Sequence, residues 1–100
     1  MKTATFDPEP VIRDRRGFGT HPALQGLTPG EFAAFLHQHR LQCEVSVMQY
    51  DDPAAWLAWD AGGRGNVRHW QPVAPDEDAW FIGSIHDPGD GPVCFWLRSY

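Results

Sequence analysis

Lysine is almost missing from this sequence: it occurs once, against seven arginines, and thirteen acids leave a formal net charge of −5. Direct nucleic-acid binding needs a cationic face to displace counterions, so it is not expected here. Docking on an anionic membrane surface is disfavoured for the same reason. No run approaches the ~20 apolar residues of a membrane-spanning helix. Residues 1–10 lack the apolar stretch of a secretion signal. The two cysteines, Cys43 and Cys94, form no metal or redox motif. The expectation is a cytoplasmic protein with reduced thiols.

The usual marks of chemistry are missing too. There is no nucleophile elbow, no phosphate-cradling loop with lysine and no dinucleotide fingerprint. His37 and His39 would lie about 200° apart around a helix, so their rings cannot converge. His21, His69 and His86 are scattered along the chain. His86 stands beside Asp87 like a base with its orienting acid, but neighbours on a strand point to opposite faces. The run Asp87-Pro88-Gly89-Asp90-Gly91 lacks the ligand spacing and distal glutamate of a calcium loop. No metal, cofactor or catalytic residue is expected. A small metal- or thiol-dependent enzyme stands as the last alternative.

What the sequence does hold is apolar and aromatic. At 42% hydrophobic and 21% charged, its hundred residues suit one globular domain spanning 1–100, large enough to fold without a disulfide or metal. Five tryptophans, six phenylalanines and two tyrosines exceed what a small core readily hides.

Residues 1–26, punctuated by proline and glycine, read as an irregular N-terminal arm in which Val11-Ile12 could start an edge strand. Arg13, Arg15 and Arg16 form its one basic cluster, an auxiliary charged contact for a phosphate or carboxylate. Thr28-Pro29-Gly30-Glu31 is a capping box, and Leu27 with Phe32 is a hydrophobic staple. Phe32, Phe35, Leu36 and His39 continue a helical stripe to about Arg40. Residues 41–50 then alternate as a half-buried strand, with Leu41, Cys43, Val45 and Val47 on one face. Asp52 and Pro53 begin a second helix, which carries Trp56 and Trp59 and ends at Gly62-Gly63. Residues 67–73, 79–86 and 92–99 are three further strand candidates, with a tight loop at 87–91.

The last hairpin sorts its residues by register. If His86 faces Pro92, then Ile85 meets Val93, Gly83 meets Phe95 and Phe81 meets Leu97, an apolar face to lay on the first helix. The opposite face pairs Ser84 with Cys94, Ile82 with Trp96 and Trp80 with Arg98. Trp80, Ile82, Trp96 and Arg98 are of the types enriched at binding hot spots. They are the expected partner-binding surface, unless the second helix or the arm covers them.

The strings G-F-G-T-H-P-A-L (17–24), H-W-Q-P-V-A-P (69–75) and W-F-I-G-S-I-H-D-P-G-D-G-P-V-C-F-W (80–96) resemble small proteins encoded on bacterial plasmids, integrative elements and phages. The likeness is strongest over residues 67–100. It brings no catalytic or binding residues with it. It implies a context in which small acidic proteins bind host proteins, inhibitors of host defence among them.

The expectation is therefore an α+β domain: an antiparallel sheet of about four strands with a C-terminal three-strand meander, packed on two short helices lying mainly on one side. Its expected role is non-catalytic binding of a host protein or protein complex, with inhibition as the outcome. A homodimeric accessory protein, pairing through a sheet edge or the tryptophan face, is the alternative.

Overall fold

The computed structural model describes residues 11–100, so the first ten residues of the expected arm lie outside the described part. The chain is an α+β domain built on a four-stranded antiparallel sheet. Its strands are β1 (Gly19–Thr20), β2 (Leu41–Val47), β3 (Phe81–His86) and β4 (Val93–Ser99). Their spatial order is β1-β3-β4-β2. The closing hairpin thus forms the centre, and the two earlier strands flank it.

Local chemistry sets the helix starts. Helix α1 (Pro29–Gln38) begins where Thr28 Oγ1 accepts the Glu31 N–H at 3.2 Å and Glu31 Oε1 accepts the Thr28 N–H at 3.0 Å. Both are donors that would otherwise lack partners in the first turn. Helix α3 (Pro53–Ala61) starts with Asp52 Oδ1 accepting the Ala55 N–H at 3.1 Å. Between β2 and α3 sits a four-residue helical turn, α2 (Met48–Asp51), where the sequence suggested continuing strand. The ladder stops there for a reason. Met48 still donates its N–H to Pro92 O at 3.0 Å, but Pro92 has no N–H to return.

Two further expectations are corrected. Val11-Ile12 is not a strand; the arm instead contributes β1 at Gly19–Thr20, paired with Ile85 and Ser84. Residues 67–73 are not a strand either, so the meander has two strands, not three. There Trp70 turns inward to 1% exposure and donates its indole N–H to Asp51 Oδ2 at 2.9 Å. The Val67 and Trp70 carbonyls that a ladder would have used accept from the Arg13 guanidinium at 2.8 and 2.7 Å.

The helices also divide between the two faces of the sheet. One core joins Leu24, Leu41 and Leu97 to Phe32, Phe35 and Leu36 of α1. The other joins Ile85, Cys94 and Trp96 to Met48, Trp59, Val67 and Trp70. Trp96 and Leu97 are consecutive on β4 and so point to opposite sides. The sheet is therefore packed on both faces, with α1 on one and α2, α3 and the Trp70 loop on the other.

The hairpin register matches expectation at its open end, where Phe81 pairs with Leu97 and Ile82 with Trp96. It then shifts by one residue at Gly83. Ser84 pairs with Phe95, Ile85 with Cys94 and His86 with Val93. This β-bulge turns Ile85 away from α1 and brings Ser84 and His86 onto the α1 side in its place.

Candidate functional site

The surface that the sequence marked for binding is largely internal. Trp96 is 7% exposed in the second core, and its indole N–H donates to Ser46 Oγ at 3.1 Å. Ile82 packs, half-buried, against the same core. Trp80 lies at its margin and donates its indole N–H to Asp76 Oδ1 at 3.0 Å. The Arg98 guanidinium sits 4.6 Å from the Trp80 ring centre, donates to Asp78 Oδ2 at 2.7 Å and donates to Gln42 Oε1 at 2.8 Å. Trp80, Ile82 and Arg98 thus come together as expected. Trp96, which was to anchor the patch, lies beneath rather than on it. Of the covering elements named as the alternative, the second helix is there as α3; the Trp70 loop beside it was not foreseen.

The arginine cluster is also engaged internally. Arg13 donates Nε to Gly17 O at 2.7 Å in addition to its bonds to Val67 and Trp70. Burial lowers the Arg13 pKa, opposed by the nearby Cys94 and Asp14. Arg16 donates to Gly65 O at 2.8 Å and stacks over Phe18 at 5.4 Å. Arg15 is exposed. Arg13 and Arg16 are thus clasps between the arm and residues 65–70.

Two other features stand open. The first is the outer edge of β2. Tyr100 donates its N–H to Arg40 O at 3.1 Å and Met48 donates to Pro92 O at 3.0 Å, which marks both as hydrogen-bonded pairs. Such pairs alternate, so residues 42, 44 and 46 bond to β4. The backbone N–H and C=O groups of Cys43 and Val45 point outward, and Val47 adds only its N–H, because its C=O is taken by the first turn of α2, which it caps. Among the described residues no strand meets them. Val45 is 50% exposed, and this edge carries no proline, lysine or bulge to blunt it.

The second feature is a cleft of about 510 Å³ between α1, the 3-10 turn at Pro22–Leu24 and the far end of the hairpin. Leu24, Leu27, Phe32 and Phe95 give it apolar walls. Its polar lining includes a chain of hydroxyls: Thr20 Oγ1 lies 2.8 Å from Ser84 Oγ, which lies 2.8 Å from His86 Nδ1. Ser84 is 3% exposed. The His86 ring is braced edge-on by Phe95, with centres 4.8 Å apart. Burial lowers the His86 pKa from the ordinary imidazole value, against the opposing pull of Asp87. Sequence reasoning missed this cluster because it placed Ser84 on the other face. The available signal was Gly83, since a lone glycine inside a strand is a common site of a bulge.

Both cysteine thiols are raised above their ordinary range. Burial, with Glu44 adding to it, pushes Cys43 up to about 11. Burial, followed by Asp51, pushes Cys94 up to about 12. No group of three or more His, Cys, Asp and Glu among the described residues could hold a metal ion. No helix among them is long and apolar enough to cross a membrane. Comparison of the chain with family models, curated proteins and solved structures finds no match.

Proposed function

We propose that this chain is a non-catalytic protein-binding module that takes an extended segment of a partner protein onto the free edge of β2. One observation carries the reading: a seven-residue edge strand with outward backbone N–H and C=O groups at Cys43 and Val45 and a half-exposed valine near its middle. Strand addition draws affinity from backbone hydrogen bonds and specificity from alternate side chains, and this edge supplies both. The partner segment is neutral or basic, because exposed Glu44 borders the edge and the chain is net acidic. The resemblance of residues 67–100 to mobile-element proteins directs the search for that partner to host protein complexes. Inhibition of such a complex is the proposed effect.

Val45→Lys and Val45→Pro test the reading. Each blocks the edge at a residue whose N–H makes no bond within the sheet. Affinity capture from the host should recover a partner with the natural chain and lose it with both variants, while Tm falls by only a few degrees. Retention of the partner by Val45→Lys sinks the edge as the binding surface.

Homodimerisation through the same edge is a second reading favoured by the register. A two-fold axis at Val45 sets Val45 against its own copy and Glu44 against Ser46, so no like charges meet. Sedimentation at tens of micromolar distinguishes the two: a monomer leaves the edge to a foreign strand.

A further inference from the structure

The cleft on the α1 side lies at the opposite margin of the sheet from β2, so it stands independently of the edge reading. At about 510 Å³ it falls within the usual range for small-molecule sites. Its lining contains no aspartate, glutamate, lysine or arginine. A buried charge on a ligand would find no counter-charge there, which is costly. The walls suit an apolar ring or chain.

One polar group in the cleft is both fixed and unfinished. His86 is held on one side by Ser84, itself held by Thr20, and on the other by Phe95. These contacts engage Nδ1 and leave Nε2 without a partner among the described residues. The other hydroxyl at the rim, Thr28 Oγ1, is occupied by the α1 cap. In neutral imidazole one nitrogen donates and the other accepts, so the role of Nε2 follows from the direction of the hydroxyl chain. A ligand hydroxyl can donate or accept, so it suits either tautomer. A carboxylate cannot.

We propose that this cleft binds a small, uncharged, mostly apolar molecule with a single hydroxyl head, of the phenol or alcohol class. The ring lies between Leu24, Leu27, Phe32 and Phe95, and the hydroxyl bonds to Nε2 of His86. Ser84 and Thr20 are positioning residues that hold the imidazole for it.

Three probes separate the components of this proposal: 2-naphthol, naphthalene without the head, and 2-naphthoate with a charged one. Titration of the natural chain, followed by NMR at the His86 and Phe95 rings, should show 2-naphthol binding at micromolar concentration. Naphthalene and naphthoate should bind at least tenfold more weakly. Leu27→Trp fills the mouth and should abolish 2-naphthol binding with the fold retained. His86→Phe keeps a ring but removes Nε2 and should reduce the preference for 2-naphthol over naphthalene to nearly none. The proposal fails if 2-naphthol leaves the His86 ring unshifted up to its solubility limit. It fails equally if naphthoate binds as well as 2-naphthol. Should Leu27→Trp or His86→Phe not fold, the three-probe comparison on the natural chain decides alone.

Discussion

A Cβ added at Gly83 would lie 2.6 Å from Leu97 Cδ1 and 3.2 Å from Leu24 Cδ1, closer than packed side chains approach. The bulge therefore sits where two core leucines press on bare backbone. Its consequence is chemical, because it decides that serine and histidine, not isoleucine, line the cleft. A glycine within a strand was visible in the sequence. The packing of Leu24 on it was not, since that contact joins residues far apart in the chain. Trp96 shows the same limit. Its type suggested a docking anchor, while its 7% exposure makes it core. Trp96→Ala should cost about 3–5 kcal/mol by leaving a large cavity. Chemical denaturation should show that loss as a lowered midpoint. A variant of natural stability that had lost only a partner would return Trp96 to the surface.

At the level of elements, the parts governed by neighbours in sequence were legible. Thr28 with Glu31, and Asp52 with Pro53, announce α1 and α3 because capping bonds span only three residues. The stretch 67–73 was not legible, because its shape is imposed from outside. Arg13 takes two of its carbonyls, Asp51 takes the Trp70 indole, and Gly17 approaches so closely that a Cβ there would meet Arg68 N at 2.5 Å. Arg13→Ala should leave these carbonyls without their cationic donor and cost about 2 kcal/mol. Arg13→Lys should recover less than half of that, since an ammonium cannot fork between separate acceptors as a guanidinium does. Thermal melts of the two variants check the order. Equal stability of Arg13→Ala and the natural chain would reduce the clasp to a surface contact.

For the molecule as a whole, the pattern of helix and strand signals foretold an α+β domain, and composition foretold more aromatic rings than a small core readily hides. The structure accommodates them by packing both faces of the sheet, with separate cores around Leu97 and Trp96. The candidate site was legible only in part: Trp80, Ile82 and Arg98 do cluster, while Ser84 and His86 needed the bulge to meet the cleft. The two-sided packing also governs reactivity. With Cys43 pushed up to about 11 and Cys94 to about 12, both remain thiols at neutral pH. The folded chain should therefore react with a thiol reagent at pH 8 at least tenfold more slowly than the chain in denaturant, Cys94 the slower of the two. Rapid labelling of native Cys43 would reopen a thiol chemistry.

The strand order β1-β3-β4-β2 has a consequence for how the chain matures. In the folded sheet β1 and β2 do not pair with each other: β1 pairs with β3, and β2 pairs with β4. During synthesis β2 leaves the ribosome with both of its edges bare, and stays so until residues 93–99 follow it out. Completion of the sheet on the β2 side therefore comes late in synthesis, and the nascent β2 is an exposed strand until then.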